Sequence, residues 1–396
     1  MNKRMGPKTK HPISKETRPV ELETERTQDE ASRKRSILTS ILFFGVLGCF
    51  LVGSLLSGNT ELSLSERRKL ASFPKVEAKM ILSGQWQEEF EDCATDHVGF
   101  REGLLKVKSL SSRYLFGNLD DDGIISHDKY LIQVEREIHE DSLDYAAGIF
   151  ADVVQKDLAG TSCKVYLSII PDKSYFLEKD EYLNMDYEAF FEQAKQKMNF
   201  GKWIDLQDTL QLDDYYYTDP HWRQEKILES ATRLADSMGV RLLDAYTVKT
   251  ALNDFIGQTG GRTMLPSGSD SLRYLWNDQM KDWTVKRYDM GKPEVSTIYD
   301  LDKVQGMDPY QLFLGGSSGM IEIDNPHADP DRQLIVFSDS YGSSMVPLLA
   351  SGYSKTTLID LRNLPHWRLK SLIDFENQHV LFLYSTSVLN ASQSLK

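Results

Sequence analysis

The chain has 396 residues, with 46 Lys and Arg against 59 Asp and Glu, a net charge of −13 and three Cys. Its composition, with 40% hydrophobic residues, excludes a largely disordered chain, and the three Cys exclude a disulfide framework or a zinc ribbon. The acidic balance argues against nucleic acid as the main partner, and the length predicts one large or two medium domains.

The N-terminus divides into a polar tail and an apolar segment. Residues 1–35 hold ten Lys and Arg and six Asp and Glu, which predicts a disordered cytoplasmic tail. Residues 36–57 carry no charge and, as a helix rising about 1.5 Å per residue, are long enough to cross a bilayer. A buried core helix and a cleaved signal peptide are the alternatives. The basic flank before the segment keeps the tail in the cytoplasm and makes residues 58–396 extracytoplasmic.

The part of the chain after this segment is more acidic than the average suggests. It carries 36 Lys and Arg against 53 Asp and Glu, a net charge of −17. Such a surface repels a polyanion unless a local basic groove exists, so an uncharged or zwitterionic ligand is favoured. Cys49 lies in the apolar segment, while Cys93 and Cys163 lie beyond it and either pair or stay free.

Two regions follow the apolar segment. Residues 58–135 are predicted to form a stalk with helices near 84–93 and 102–114 and a turn at 120–123. Residues 136–396 alternate between helical and strand patterns, although 254–320 are poorly periodic. Helices are predicted at 187–198, 221–238 and 343–350, and strands at 165–170, 203–206, 240–243, 334–337, 357–361 and 380–384. This alternation predicts an α/β fold with a mostly parallel sheet and a site beyond the carboxyl ends of its strands.

The segment Ser338-Asp339-Ser340-Tyr341-Gly342 directly follows a predicted strand and precedes a helix. A hydroxyl at Ser340 is therefore exposed at the sheet edge, and the amides of Tyr341 and Gly342 are placed to stabilise an oxyanion. Serine needs a base before it becomes a nucleophile. The alternative is helix capping by Asp339, Ser340 or Ser343.

The segment from Tyr215 to Trp222 contains Asp219 and His221, two residues apart. This spacing lets the carboxylate hold the imidazole in the tautomer that a general base requires. The alternative is again a helix start, with Asp219 as N-cap, Pro220 at the first position and Trp222 packed beneath it.

An ordered series of short motifs extends over residues 60–390. The segments are Glu66-Arg67-Arg68-Lys69-Leu70 with Phe73-Pro74, Asp96-His97 with Phe100-Arg101, Ile169-Ile170-Pro171-Asp172-Lys173, Thr218-Asp219-Pro220-His221-Trp222, and Asp339-Ser340-Tyr341 through Pro347 to Ile359-Asp360-Leu361-Arg362. The series resembles the DHHW family of Gram-positive bacteria, which is similar to the AlgX/AlgJ branch of SGNH-hydrolase-like proteins that O-acetylate exopolysaccharide. The resemblance implies a flavodoxin-like parallel sheet with helices on both faces.

The resemblance also implies roles for single residues. Ser340 would be the nucleophile, His221 the base and Asp219 its orienting partner, and the order of the two blocks matches that branch. Two positions depart from the pattern: Pro220 stands between Asp and His, and Ser338 replaces the usual Gly and is expected to crowd the turn. No Asn matches the SGNH oxyanion hole, so Gly257 is a further candidate for an oxyanion amide.

Three side chains are candidates for substrate contact. Lys173 follows a strand end and either holds an acidic substrate group or is an ordinary surface lysine, Arg262 would mark a local basic groove, and Trp222 lies beside the catalytic His.

The sequence thus predicts a membrane-anchored acyltransferase that O-acetylates a cell-surface polysaccharide. Since acetyl-CoA does not cross the membrane, the resemblance implies a membrane-bound O-acyltransferase as donor partner, and the mechanism needs no metal or organic cofactor. An esterase with the same triad and an inactive glycan-binding protein of the cell envelope are the alternatives.

Overall fold

A computed structural model describes residues 18–56, 62–63, 68–115, 120–121, 123–177, 183–288 and 293–396. The chain forms two compact units, Met1–Glu61 with Leu70–Gly103 and Leu62–Lys69 with Leu104–Lys396. The predicted stalk, 58–135, is therefore divided between the two units. Part of the reason is that the hairpin over 124–133 buries Ile124, Ile132 and Leu131 within the second unit.

The helices are short except for the first. They are α1 Arg18–Leu56, α2 Ala78–Ser83, α3 Gln85–Asp96, α4 Arg101–Tyr114, α5 Glu140–Lys156, α6 Tyr187–Lys197, α7 Leu228–Ser237, α8 Gln258–Arg262, α9 Gly342–Leu349 and α10 Thr386–Asn390. Within α1, Ser32–Ser54 has a mean hydropathy of 2.2 and no buried side chains, which makes it a candidate membrane span. The helix begins at Arg18, inside the segment predicted to be disordered. Glu, Arg and Lys are good helix formers, and extending an existing helix avoids the cost of nucleation.

The strands belong to one large sheet and three small ones. They are β1 Leu62–Ser63, β2 Arg68–Lys69, β3 Asp120–Asp121, β4 Ile124–His127, β5 Tyr130–Gln133, β6 Lys164–Ile170, β7 Lys202–Trp203, β8 Thr247–Phe255, β9 Asp270–Trp276, β10 Thr284–Tyr288, β11 Glu294–Ser296, β12 Met320–Asp324, β13 Gln333–Ser338, β14 Lys355–Ile359 and β15 His379–Ser385. The large sheet has the order β11-β10-β12-β14-β13-β15-β6-β7.

The predicted parallel sheet forms the central part of this sheet. From β14 to β7 all neighbours are parallel, whereas β12, β10 and β11 add an antiparallel edge. The antiparallel edge comes largely from residues 254–320, where the sequence showed no clear periodicity. After β13 the chain adds β14 on one side and β15 on the other, which opens a crevice at the carboxyl end of β13.

Alternate side chains of the parallel strands build two cores. Leu167, Phe382, Phe337 and Ile359 are in register on one face, where α5 and α6 cover them. Their neighbours in sequence, among them Val336, lie on the other face with α7, α9 and the β8–β9 hairpin. Because both faces are buried, these strands are nearly continuous apolar runs in the sequence.

Two local predictions on one side of the sheet are wrong. The helix predicted at 221–238 begins only at Leu228, after a short 3₁₀ turn at Gln224–Lys226. Residues 240–243 form no strand, since Gly239 ends α7 with φ 72° and the Val240 amide donates back to Ala235. Tertiary contacts of the preceding loop, described below, override the helical pattern there.

Candidate active site

Ser340 lies in the turn between β13 and α9, at the carboxyl end of the parallel sheet. The Asp339 carboxylate shapes this turn. Its Oδ1 accepts from the Tyr341 amide at 3.0 Å, and its Oδ2 accepts from the Ser385 amide at 2.9 Å and the Ser385 hydroxyl at 2.6 Å. The turn is thereby tied to the end of the neighbouring strand β15. The Asp339 carboxylate thus binds the amide of Tyr341, which precedes the first residue of α9, whereas the Ser340 hydroxyl is bound to His221.

Ser338 and Gly342 approach each other closely across the same turn. A Cβ added to Gly342 would lie 2.6 Å from both Cβ and Oγ of Ser338, and Ser338 Oγ donates to the Leu383 carbonyl at 2.6 Å. The crowding expected from Ser338 is therefore avoided because residue 342 has no side chain.

His221 lies in a loop that is closed by an isolated antiparallel bridge between Tyr215 and Trp222. The Tyr216 amide donates to the His221 carbonyl at 3.1 Å, which keeps this segment extended rather than helical. The alternative of Asp219 as an N-cap is therefore wrong. Its carboxylate instead accepts from the His221 amide at 3.1 Å within the loop.

Asp219, His221 and Ser340 form a continuous hydrogen-bonded chain. His221 Nδ1 is 2.6 Å from Asp219 Oδ1, and His221 Nε2 is 2.7 Å from Ser340 Oγ. A carboxylate at Nδ1 holds the proton on that nitrogen and leaves Nε2 as the acceptor for the serine hydroxyl. Asp219 and His221 are buried, whereas Ser340 is half-buried and thus open to a reactant.

Asp219 keeps its charge although it is buried. Burial by itself raises the pKa of this carboxyl, but His221 and the amides of Gln258 and His221 stabilise the charged form and lower the pKa to about 2. The Gln258 amide donates to Oδ2 at 2.8 Å. Gly257 permits this approach, since a Cβ there would lie 2.2 Å from Asp219 Cβ.

Two tyrosines enclose the imidazole. The ring of Tyr310 stacks on His221 with centroids 4.0 Å apart and planes 9° apart, and Tyr341 lies against it at 4.7 Å. Tyr310 donates to Ser344 Oγ at 2.9 Å, which anchors it to α9. Burial raises the pKa of both tyrosines well above the ordinary value, so both stay neutral.

Asp270 holds the loop that carries Asp219 and His221. Its carboxylate accepts from the Tyr217 amide at 2.9 Å, the Thr218 amide at 2.8 Å and the Thr218 hydroxyl at 2.6 Å. Sequence reasoning missed Asp270 because it lies about 50 residues away in the aperiodic region. Tyr310 was missed for the same reason, and no local pattern marks either residue.

The three amides proposed for the oxyanion already have acceptors. The Tyr341 amide donates to Asp339 Oδ1, the Gly342 amide to the Asp339 carbonyl at 3.0 Å, and the Gly257 amide to Thr218 Oγ1 at 2.9 Å. These predictions are not supported by the structure, because the Asx turn at Asp339 uses the first two donors. The Ser340 amide itself has no hydrogen-bond partner among the residues that the structure describes.

Lys173 is buried, and it lines the cavity beside the triad that Arg262 also lines. Its side chain is buried, and Nζ donates to the carbonyls of Leu131, Tyr216 and Tyr217, the last two at 3.1 and 3.5 Å. Burial lowers the pKa of Lys173 to about 8, opposed by Asp219, Asp270 and Asp172. Lys173 therefore joins β5 to the loop that carries Asp219 and His221, and its amino group is already bound by three backbone carbonyls.

Trp222 is also internal rather than substrate-binding. It is fully buried, and Nε1 donates to Ser344 Oγ at 2.8 Å. Its bulk fills the space between the loop and α9. A buried indole N–H needs one hydrogen-bond acceptor, and the Ser344 hydroxyl provides it.

Arg262 lines a cavity beside the triad. The cavity has a volume of about 190 Å³, and its lining includes Pro220 and Tyr341, which are sequence neighbours of His221 and Ser340, together with Gln258 and Glu135. Burial, followed by the charge of Asp172, raises the pKa of Glu135. Arg262 is exposed there, as a substrate-binding residue should be.

The cysteines and the acidic groups outside the site bear on disulfide formation and metal binding. In the described part of the chain, Cys49, Cys93 and Cys163 are free. In that same part, no group of three or more His, Cys, Asp or Glu side chains is arranged to hold a metal ion.

Comparison with known proteins identifies the fold. No family model and no curated protein sequence matches the chain. A DHHW family protein from Eubacterium siraeum matches in structure with a TM-score of 0.57 and 18% identity over 69% of this chain and 94% of that one. Bacillus cereus PatB1, solved with a sulfonyl adduct, matches with a TM-score of 0.54 and 18% identity over 67% and 97%. The resemblance inferred from the motifs is thus confirmed at the level of the fold.

Proposed function

We propose that this chain is a membrane-anchored, extracytoplasmic acyltransferase that O-acetylates a cell-surface or exopolysaccharide. The observation that carries the proposal is the chain of hydrogen bonds from Asp219 through His221 to Ser340, at 2.6 and 2.7 Å. A nucleophile, a base and an orienting carboxylate at these distances form an acyl-transfer triad. The fold is similar to that of PatB1, which was solved with a sulfonyl adduct, and this likeness supports the proposal.

The reaction runs in two steps through an acyl-enzyme. His221 Nε2 takes the proton of Ser340 Oγ while the oxygen attacks the acetyl carbonyl carbon. The donor oxygen then leaves with that proton, and Ser340 carries the acetyl ester. In the second step His221 takes the proton of a glycan hydroxyl, which attacks the ester carbonyl, and the proton returns to Ser340. Asp219 stabilises the imidazolium formed in each step.

The oxyanion is assigned to the amide of Ser340. Among the described residues this amide lacks an acceptor, while the neighbouring amides donate to Asp339. A donor that is already oriented stabilises the tetrahedral intermediate without reorganisation during the reaction.

The donor and the acceptor reach Ser340 from outside the cell in this proposal. Acetyl-CoA stays in the cytoplasm, so a membrane-bound O-acyltransferase would export the acetyl group to Ser340. The cavity beside the triad, with Arg262 at its surface, is the proposed contact for the acceptor glycan. The net charge of −17 after residue 57 favours an uncharged or zwitterionic acceptor.

A sulfonyl fluoride tests the triad directly. Intact-mass analysis should show one sulfonyl group on the wild-type protein and none on Ser340→Ala, with much slower labelling of His221→Ala because the base is lost. Ser343→Ala is the matched control, since its hydroxyl makes no contact within the triad, and it should be labelled like wild type. Equal labelling of all four proteins would contradict the proposal.

Acyl release distinguishes the transferase from its alternatives. An acetyl ester donor is offered with and without a neutral oligosaccharide acceptor, and the acetylated sugar is quantified by mass spectrometry. A transferase forms acetylated sugar, an esterase forms only acetate, and a glycan-binding protein without activity forms neither and is not labelled by the sulfonyl fluoride.

A further inference from the structure

The turn that follows α3 lies against the last turns of α1, within the unit Met1–Glu61 with Leu70–Gly103. The Gly99 amide donates to Ser54 Oγ at 2.8 Å. A Cβ on Gly99 would lie 2.7 Å from the Gly53 carbonyl carbon, so the two backbones are in contact through glycine. Such close approach of small residues is typical of packing beside a membrane helix.

Phe100 is aimed at α1 by an unusual backbone conformation. Its φ is +63°, a left-handed value that a residue with a Cβ rarely adopts. The ring packs edge-to-face on Phe50, with centroids 6.3 Å apart and planes at 76°. Yet Phe100 remains 64% exposed, so most of this residue is uncovered by the residues that the structure describes.

The turn is held rigidly in place. Asp96 Oδ2 accepts from the Ala71 amide at 2.8 Å, and its Oδ1 is 3.6 Å from the Arg101 guanidinium. Arg101 Nε also donates to the Thr95 carbonyl at 3.2 Å, and His97 Nδ1 is 2.9 Å from the Cys93 carbonyl. These contacts fix the conformation of the turn and, with it, the position of Phe100.

The depth at which Phe100 would lie in a membrane follows from its contact with Phe50. Phe50 lies four residues before Ser54, the last residue of the candidate span. At about 1.5 Å per residue this places the Phe50–Phe100 contact about 6 Å inside the end of the span. Phenylalanine buried to that depth meets the boundary between headgroups and acyl chains.

We propose that the exposed face of Phe100 is buried in the outer leaflet of the bilayer, so that the turn 97–100 is a second membrane contact beside α1. The inference rests on the proposed anchorage by α1. The same unit exposes a further aromatic group, in which Trp86 and Phe90 stack at 5.1 Å and Phe73 is 63% exposed. Trp86 is of a residue type that is enriched where a membrane meets water.

Spin labels measure this contact in the full chain. In a background with Cys49, Cys93 and Cys163 replaced by Ser, single labels are placed through Leu47→Cys, Phe100→Cys and Val295→Cys, and the protein is reconstituted in phosphatidylcholine–phosphatidylglycerol vesicles. Oxygen concentrates in lipid, so it should relax the spin labels at positions 47 and 100 more strongly than a water-soluble agent does. A water-soluble nickel chelate should relax the label at position 295, on an exposed strand of the other unit, more strongly than oxygen does.

Each other outcome overturns a defined part of the argument. An aqueous signal at 100 with a lipid signal at 47 refutes the second contact and leaves the anchor standing. Protection from both reagents at 100 shows burial against protein, such as a second copy, and also refutes it. An aqueous signal at 47 refutes anchorage by α1 and this inference together.

A glycine pair provides the matched control. Gly99→Ala should move the signal of the label at 100 from lipid towards water, because the added Cβ collides with Gly53. Gly103→Ala, which adds a Cβ with no atom within 4 Å, should leave that signal unchanged. Equal signals in the two variants would show that the Gly53–Gly99 contact does not position Phe100.

Discussion

His221 is fixed on three sides by different kinds of contact. Asp219 binds Nδ1, Ser340 binds Nε2, and Tyr310 covers one ring face. Asp219 fixes the tautomer of the imidazole, Ser340 fixes the direction of Nε2, and Tyr310 fixes the tilt of the ring. This agreement of three independent contacts is stronger evidence for a base than any single distance.

Replacing Asp219 by Asn should lower kcat without weakening binding. The pKa of about 2 means that Asp219 stays ionised from pH 5 to 9, so the carboxylate is always present to hold the Nδ1 proton. An amide would favour the wrong tautomer, and we expect kcat to fall by about 10³–10⁴-fold with little change in KM. Steady-state kinetics of acyl release measure this. Asp213→Asn, which removes an exposed carboxylate, is the control, and equal losses in both variants would refute the role.

A Cβ fits at only one of positions 338 and 342. Gly342→Ala should therefore displace the Ser340 turn and lower both activity and the unfolding temperature, because the new Cβ meets Ser338 at 2.6 Å. Ser338→Gly in the same chain removes the colliding atoms and should restore much of the activity. Thermal melts and acyl release report the two effects. No recovery in the double variant would show that the contact with Ser338 is not the cause.

The elements around the site are held together by buried polar groups. Asp339 joins the β13–α9 turn to the end of β15, and Asp270 at the start of β9 holds the loop that carries Asp219 and His221. Lys173 ties the same loop to β5. Each of these charges is buried and fully hydrogen-bonded, the condition under which a buried charge specifies one arrangement of loops.

Lys173→Met should destabilise the protein rather than weaken substrate binding. It leaves the carbonyls of Leu131 and Tyr216 without a donor, which costs about 2–4 kcal/mol of unfolding free energy. Denaturant unfolding should show this loss, with KM nearly unchanged in the protein that remains folded. A raised KM with unchanged stability would instead restore the substrate-binding role.

The stability difference between wild type and Lys173→Met should grow with pH. The pKa of Lys173 is lowered to about 8 from an ordinary value of 10.5, so between these values the unfolded chain binds more protons than the folded one. The Lys173 contribution to the unfolding free energy therefore rises from pH 8 to 10. Urea melts at pH 7 and 9.5 measure the difference, and a constant value would show that Lys173 does not titrate there.

On the scale of the whole molecule, charge and topology have separate consequences. The parallel strands place Ser340 at the carboxyl end of the sheet, and the chain after residue 57 carries a net charge of −17. A net charge of this sign repels anionic polymers. Long-range repulsion of this kind depends on ionic strength, because the screening length falls from about 30 Å at 0.01 M to about 10 Å at 0.1 M salt.

Salt should therefore act differently on neutral and anionic acceptors. We expect kcat/KM for a uronic-acid oligosaccharide to rise between about 0.01 and 0.1 M salt as repulsion is screened, while that for a neutral oligosaccharide changes little. Initial rates of sugar acetylation provide the measurement. A fall for the anionic acceptor would reveal a local basic groove, and loss of that fall in Arg262→Gln would assign the groove to Arg262.

The sequence alone predicted the features that depend on neighbours in the chain. Continuous apolar runs identified β6, β13, β14 and β15, and the turn after β13 identified Ser340. Asp219 and His221 were found because an orienting carboxylate two residues from its base leaves a local pattern. The apolar segment within α1 was equally evident, since its length and lack of charge are read directly.

Contacts between distant residues remained beyond sequence reasoning. Lys173 and Trp222 were predicted to contact the substrate, but only the packed structure shows that the Lys173 amino group binds backbone carbonyls and that the Trp222 indole binds the Ser344 hydroxyl. Asp270 and Tyr310 were not found, and the oxyanion amides were assigned to donors that Asp339 and Thr218 already occupy. Periodicity reports which face of an element is buried, but the partner of a buried polar group is set by chain segments that meet only when the molecule folds.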